Sequence, residues 1–346
     1  MILKMPLYCK DFKCIADKCK DNCCVGWEID IDSSSAEYYS SVKGDFGEKL
    51  KENITKGEVC SFKLKNERCA FLNDCNLCEI IINLGEDKLC QICSDHPRYF
   101  EWFADVKEGG IGLCCEEAAR IIVTNEDKFG VFAVPCDDEG CDDYSQELYD
   151  VLSFARQEII ATLENDEIPL KTTVSSVLDY AIELQFRIDN YNFEKVPLRV
   201  RYPAEEVKAD VKGFLESFSC LEPIDANWQE YLKNLIDESE KLSAEKLSDS
   251  VAERYLRNIA VYFIWRYFLK GVYDEEILSK PFLMALSIGM IKLMYVSAET
   301  SDSETCSTLA KNYSKEVEYS QENLEKIYDM VYDNPAFSKN NIIALI

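Results

Sequence analysis

Hydrophobic and polar positions change their pattern part-way along the chain. After residue 145, apolar residues recur at intervals of three and four, which places them on one face of an α-helix. Prolines at 197, 203, 223 and 281 interrupt this pattern and mark breaks between helices. The spacing predicts helices at 145–164, 173–190, 204–218, 226–243, 250–272, 275–298 and 302–332.

The first 120 residues have short apolar runs separated by cysteine, glycine and asparagine. Alternation of apolar and polar residues at 60–72 predicts a β-hairpin that turns at Asn66-Glu67. A second hairpin is predicted at 102–115, with its turn near Gly109-Gly110. Residues 27–32 predict a short strand, and a helix is expected to end near Gly85. Further short helices are predicted at 33–43 and 116–123.

These patterns predict a mainly α fold with two parts. The first is a cysteine-rich α+β N-terminal cluster domain with short strands, at residues 1–125. An acidic, glycine-bearing linker at 126–144 follows it. The rest of the chain, 145–346, is predicted to be an all-helical C-terminal lobe.

Two apolar stretches, 258–273 and 281–296, need comparison with membrane spans. Both contain basic residues, and neither reaches the roughly 20 uninterrupted apolar residues that a spanning helix needs. We expect buried core helices, no membrane association, and core positions for the aromatic residues at 255–268. The start of the chain lacks the pattern of a secretion signal, so a cytoplasmic location is expected.

The net charge of −26 argues against a nucleic-acid partner, because phosphate binding requires concentrated lysine and arginine. Keeping the protein soluble is a sufficient explanation for this negative charge. Weak steering towards a basic, lysine-bearing protein segment is the functional alternative.

Cysteine supplies the strongest chemical signal. Of the 17 cysteines, 13 lie in the first 115 residues. A chain this long can build an apolar core without disulfides, and in a reducing compartment clustered thiols more often bind metal. The pairs Cys75/Cys78 and Cys90/Cys93 suit one metal centre, because a tight turn directs both sulfurs to the same side. Ferredoxin, radical S-adenosylmethionine and zinc-ribbon spacings are all absent.

Other candidate chemistry is sparse. His96 is the only histidine, and it is interpreted as a polar loop residue before a proline, with metal ligand or general base as the alternative. Arg98 could offset the charge of a thiolate centre, bind a carboxylate of a cofactor, or form a structural salt bridge. A G-x-G-x-x-G motif after a strand is absent, so a Rossmann site is not supported.

In its cysteine-rich segments and in two late helical segments, the chain resembles the flagellin lysine N-methylase family, within the CxxCxxCC group of zinc- or iron-chelating proteins. The similar pieces are KDNCCVGW at 20–27, CAFL at 69–72, LGEDKLCQIC at 84–93, LCCEEAAR at 113–120, and late helical segments at 254–270 and 314–325. The chain departs from the family pattern at Cys115, where proline is usual, and at Tyr319, where histidine is usual.

The resemblance implies transfer of methyl groups from S-adenosylmethionine to lysine side chains of flagellin, with an iron–sulfur cluster of the 4Fe-4S type. It implies Arg98 as a cofactor-binding candidate, and catalytic residues stay unassigned. The alternative is a zinc- or iron-binding structural or interaction module without transferase activity. The candidate metal ligands are Cys19, Cys23, Cys24, Cys69, Cys78, Cys90, Cys93 and Cys114.

Overall fold

The computed structural model describes residues 1–26, 29–57, 59–138, 140, 144–202, 208–244 and 250–346. Its strands are β1 (Ile2–Pro6), β2 (Ile29–Ile31), β3 (Ile54–Thr55), β4 (Cys60–Phe62), β5 (Leu64–Lys65), β6 (Arg68–Cys69), β7 (Arg98–Phe103), β8 (Val106–Ile111) and β9 (Val131–Pro135). Its helices are α1 (Ser33–Ser41), α2 (Asp45–Asn53), α3 (Glu79–Leu84), α4 (Gln91–Asp95), α5 (Glu116–Val123), α6 (Gln146–Leu163), α7 (Leu170–Asp189), α8 (Val211–Ser217), α9 (Trp228–Asp237), α10 (Ser239–Ala244), α11 (Ser250–Tyr267), α12 (Gly271–Asp274), α13 (Ser279–Ser297), α14 (Ser303–Glu318), α15 (Gln321–Asp333) and α16 (Lys339–Leu345). The structure is 59% helical, which confirms the mainly α prediction.

The chain divides into two compact units. The cysteine unit comprises Phe12–Tyr99 with Cys115–Glu117, and the helical unit comprises Met1–Asp11, Phe100–Cys114 and Ala118–Ile346. This division differs from the domain boundaries expected at 125 and 144. Strand β1, at the very N-terminus, pairs with β8 in parallel and with β9 in antiparallel orientation, so it belongs with the later residues.

The stretch predicted as a linker contains β9. Its sequence VFAVP is rich in β-branched and aromatic residues, and it extends a sheet with the strand order β7-β8-β1-β9. Strand pairing over more than 120 residues of sequence separation leaves no local pattern, which is why acidic composition suggested a linker instead. Residues 139 and 141–143, also part of the predicted linker, lie outside the described residues.

The turn predicted at Gly109-Gly110 is wrong. Both glycines lie inside β8 and are buried, and the connection to β7 runs through Ala104, which has a φ of 47°. The indole Nε1 of Trp265 donates to the carbonyl oxygen of Gly109 at 3.0 Å. This hydrogen bond joins α11 to β8.

Helix α13 lies at the centre of the helical unit. Among the described residues it is the one helix long and apolar enough to cross a membrane by length and composition, and 94% of that apolar window is buried inside the protein. It packs against α11, whose aromatic residues Tyr262, Phe263 and Tyr267 are also buried. Both apolar stretches are core helices, as predicted.

A buried ion pair joins α6 to β8. The guanidinium of Arg156 donates to both carboxylate oxygens of Glu108, at 2.6 and 2.7 Å, and its side chain stacks over the ring of Trp265 at 4.1 Å. The two charged side chains are only 8% and 6% exposed. Two parallel N–H···O bonds in an apolar setting make this ion pair strong. Loss of one partner would leave an unpaired buried charge and so destabilise the fold.

The single helix predicted at 302–332 is two helices, α14 and α15, with the break at Tyr319 and Ser320. The hydroxyl of Ser320 accepts a hydrogen bond from the backbone N–H of Asn323, as an N-cap does. The amide of Asn323 then donates to the carbonyl oxygens of Glu222 and Glu316. The cap and the buried amide fix the direction in which α15 leaves the break.

Replacing Ser320 with alanine should therefore lower the free energy of unfolding by about 1 kcal/mol, because the N–H of Asn323 loses its acceptor. Ser338 is a matched control, since it occupies the N-cap of α16 without a side-chain hydrogen bond. The Ser338→Ala change should cost clearly less. Urea denaturation followed by circular dichroism measures both, and equal losses would contradict the capping role of Ser320.

The cysteine unit is built from short elements. Strands β2, β4 and β3 form an antiparallel sheet, and β5 and β6 form the predicted hairpin. Asn66 and Glu67 at its turn have φ angles of 51° and 61°, the left-handed pair typical of a tight two-residue turn. Helix α3 ends before Gly85, whose φ of 102° favours glycine, as predicted. The predicted strand at 27–32 is described from Ile29 onwards, and residues 27 and 28 lie outside the described residues.

Candidate metal centre

The core of the cysteine unit contains thiols as well as apolar side chains. Cys69 and Cys90 are buried with Phe62 and Phe71, and four more thiols, those of Cys24, Cys60, Cys78 and Cys93, pack against this cluster partly buried. All six are thiols without disulfide bonds. An apolar core this small therefore has six cysteine sulfur atoms in or against it.

The local structure explains how the chain brings these thiols together. Cys69 ends β6, and its N–H donates to the carbonyl oxygen of Cys24 at 2.8 Å, which joins two distant segments of sequence. Cys78 and Cys90 occupy the N-cap positions of α3 and α4, and neither side chain makes a capping hydrogen bond. Cys93 follows within α4. Helices α3 and α4 therefore each begin at a cysteine of this core, and the sulfur of that cysteine accepts no capping hydrogen bond.

Neighbouring thiols affect each other's pKa in pairs. The Cys24 thiol lowers the pKa of Cys23, and Cys23 together with burial raises the pKa of Cys24. In the second pair the Cys93 thiol lowers the pKa of Cys90, and Cys90 together with burial raises the pKa of Cys93. Burial raises the pKa of Cys69 to about 11.

Charge interactions also connect thiols that belong to different pairs. Burial is the main cause that raises the pKa of Cys78, and Cys23 and Cys90 raise it further as thiolates. Cys24 is likewise affected by Cys69 and Cys78. We call the six residues Cys23, Cys24, Cys69, Cys78, Cys90 and Cys93 the thiol cluster.

The chemistry of the thiol cluster fits a soft metal. Thiolates are the ligands preferred by zinc and by iron–sulfur centres, and four are needed for either. Within the described part of the chain, no three His, Cys, Asp or Glu side chains are grouped as a metal site in their present conformation. Metal binding would require the ligating thiols to lose their protons.

Two sequence-predicted ligands have hydrogen-bond partners outside the thiol cluster. The thiol of Cys19 donates to Glu116 Oε2 at 3.6 Å and to the carbonyl oxygen of Asp21 at 3.2 Å. Burial raises its pKa to about 12, and the Glu116 carboxylate adds to the effect. Cys114 belongs to the helical unit, where burial raises its pKa to about 11 and its thiol hydrogen bonds to Tyr319.

The two candidates outside the cysteines also have clear positions. The guanidinium of Arg98 lies over the ring of Phe12, with 5.2 Å between its central carbon and the ring centroid, and the side chain is exposed. His96 follows α4 as its C-cap residue. Burial lowers the pKa of His96 to about 4, so the imidazole is neutral at neutral pH.

One polar cluster in the helical unit was missed by the sequence analysis. Glu318 is fully buried at the end of α14, where its carboxylate accepts hydrogen bonds from Tyr262, Tyr267 and Ser314 and pairs with Arg266 at 2.7 Å. Ser314 and Ala310, four and eight residues earlier, are buried on the same helix. This spacing was the available signal that Glu318 faces the core. Tyr319, which departs from the family pattern, follows directly and contacts Cys114.

Comparison with known proteins identifies the family. A sequence model of the family described as "FliB lysine N-methylase C-terminal domain" matches residues 156–345, more than half of the chain. The chain belongs to this family. Its match covers most of the helical unit, including α6 to α16 from Arg156 onwards.

Curated relatives agree with this membership. The chain is 25% identical over 130 residues to the "Lysine-N-methylase" of Salmonella choleraesuis (strain SC-B67), covering 35% of this chain and 32% of the relative. It is 24% identical over 134 residues to the "Flagellar biosynthetic protein FliU" of Salmonella muenchen, covering 35% of this chain and 77% of that protein. The chain thus spans about a third of the Salmonella lysine-N-methylase it matches. No solved structure matches.

Proposed function

We propose that this chain is a protein-lysine N-methyltransferase that transfers methyl groups from S-adenosylmethionine to lysine side chains of flagellin or a similar surface protein. Membership of the FliB lysine N-methylase family supports the reaction, and the printed names of the relatives support a flagellar substrate. A cytoplasmic location follows from this proposal, since flagellin is synthesised there.

The observation that carries the proposal is the packing of several thiols in and against one small core within a separate compact unit. We assign the metal ligands to the thiol cluster, with four of its six members holding an iron–sulfur cluster and zinc as the alternative metal. When bound, a centre held by only three thiolates would leave one iron open to the amino and carboxylate groups of the methyl donor, whereas four thiolates would close every iron. Cys19 and Cys114 are secondary candidates, because each thiol has a partner of its own outside the thiol cluster.

Methyl transfer also requires a lysine amine that has lost its proton. Among the carboxylates near the thiol cluster, Asp32 is fully engaged: it accepts from the backbone N–H groups of Ser35 and Gln91, both at 2.9 Å, and from the hydroxyl of Ser34. These bonds outweigh the effect of burial and hold the pKa of Asp32 below its usual range. Asp32 thus stays a carboxylate, suited to attract an ammonium group rather than to take its proton.

A structural metal is the second candidate function. Cys69 and Cys90 lie in the apolar core beside Phe62 and Phe71, so a metal held there would join β6 to α4 and replace part of a small core. In that case the chain would be a metal-dependent interaction module, and removal of the metal would unfold the cysteine unit.

A transfer assay separates the two functions. Protein purified without oxygen is incubated with methyl-labelled S-adenosylmethionine and with flagellin from the same cell, and lysines are examined by peptide mass spectrometry. The proposal predicts labelled methyl-lysine, and none on flagellin whose lysines were acetylated beforehand. Metal-loaded, folded protein that transfers no label, but unfolds on chelation, would favour the structural module.

A further inference from the structure

A second feature of the cysteine unit lies directly against the thiol cluster. A cavity of about 350 Å³ opens between the edge strand β2 and the first turns of α1 and α4. Its lining residues are Asp30, Ile31, Asp32, Ser33, Ala36, Val59, Cys60, Gln91 and Ile92. We call it the β2 pocket.

The β2 pocket combines apolar walls with two acidic side chains. Val59 and Ile92 are exposed to 58% and 38%, which is unusual for large aliphatic side chains, and Ala36 and Ile31 add further apolar surface. Two carboxylates, Asp30 and Asp32, supply its charge. The described lining residues include no lysine or arginine. Such a pocket favours a ligand with an aliphatic stem and a cationic end, and disfavours an anion.

Asp30 is the carboxylate best placed to receive such a ligand. Its neighbours in β2, Ile29 and Ile31, are buried, so the alternation of the strand leaves Asp30 exposed. Asp32 lies two residues later on the same lining and is held in place by its hydrogen bonds to α1 and α4. The first carboxylate is free to move towards a ligand, whereas the second is fixed.

The β2 pocket adjoins the thiol cluster through the backbone. The thiol of Cys90 lies 4.0 Å from the carbonyl oxygen of Asp30, and Gln91, the next residue, lines the pocket. Cys60, opposite Ile31 in the β2–β4 pairing, lines it as well. A side chain bound in the pocket would be separated from the cluster by little more than one strand.

We propose that the β2 pocket binds the side chain of a substrate lysine, with its ammonium group between Asp30 and Asp32 and its four methylene groups against Val59 and Ile92. The assignment rests on the proposed lysine methylation and extends it by placing the protein substrate on the cysteine unit. Lysine is preferred over a purely apolar group because burial of an apolar side chain would leave two carboxylates without a counter-charge.

Binding can be measured without activity. Methyl groups of isoleucine, valine and alanine are labelled in the full chain, and an acetylated, amidated Gly-Lys-Gly peptide is titrated by NMR. Shifts are expected at Val59, Ile92 and Ala36, and the same peptide with norleucine in place of lysine should cause none. Asp30→Asn should raise the Kd about three- to fivefold, as expected for one exposed charge. Asp74→Asn is the matched control, since Asp74 is exposed in the same unit but does not line the pocket.

Equal shifts with lysine and norleucine, no shifts with either, or equal Kd values for the two variants would overturn the proposal. The transfer assay distinguishes this from failure of the function. If the wild type methylates flagellin and Asp30→Asn has the KM of Asp74→Asn, the pocket is wrong and the function stands. If the peptide binds as expected but no methyl group is transferred, the pocket stands as a lysine-binding site and the function is wrong.

Discussion

Replacing Cys78 with serine should lower bound metal and methyl transfer together, with transfer falling by about 100-fold or more. Supporting groups around a metal already contribute 10- to 100-fold to affinity or activity, so loss of a direct ligand should cost at least as much. Serine keeps the size of the side chain and can still occupy the N-cap of α3. Metal analysis, absorption spectra and the transfer assay measure the effect on protein purified without oxygen.

Cys75 provides the control for this change. It lies three residues earlier, its side chain is exposed, and it is not a member of the thiol cluster. Cys75→Ser should retain metal content and transfer near those of the wild type. A Cys78→Ser protein with full metal content would show that Cys78 is not one of the four ligands, and a Cys75→Ser protein that loses metal would show that a ligand lies outside the thiol cluster.

Replacing Arg156 with methionine should destabilise the helical unit by about 3–5 kcal/mol. The change leaves the carboxylate of Glu108 buried without its bidentate partner, while methionine keeps much of the apolar volume beside Trp265. Thermal unfolding followed by circular dichroism should show a large decrease in Tm.

The matched substitution is Arg254→Met. The Arg254–Glu126 pair is 3.4 Å long, with side chains that are 44% and 78% exposed, so its loss should cost no more than about 1 kcal/mol. A double variant, Arg156→Met with Glu108→Met, should recover part of the stability because no buried charge is left unpaired. Similar effects for the two single variants would contradict the importance of burial for the Arg156–Glu108 pair.

Local sequence patterns predicted much of the fold. The helices of the second part, the turn at Asn66 and Glu67 and the helix end at Gly85 follow from periodicity and from residues that tolerate a left-handed backbone. The pairing of β1 with β9 was missed because strand pairing between distant segments leaves no periodic trace. The break at Ser320 was also missed, although serine is a favoured N-cap residue.

The candidate site was predicted as a set of residues but not as an arrangement. Cysteine spacing and family resemblance named all six members of the thiol cluster as candidate ligands, together with Cys19 and Cys114, and their role as ligands stays a prediction. Only the fold distinguishes the members of the thiol cluster from Cys19 and Cys114. The hydrogen bond from Cys69 to Cys24 and the N-cap positions of Cys78 and Cys90 depend on contacts between residues that are distant in sequence. The buried Glu318 network and the β2 pocket depend on such contacts too.

The most direct measurement is the metal and sulfide content of the wild-type protein purified without oxygen, with its absorption spectrum. One 4Fe-4S cluster held by the thiol cluster requires a brown protein with about four irons and four sulfides per chain. A colourless protein with one zinc per chain, or one that holds no metal when reconstituted with iron and sulfide, would contradict it.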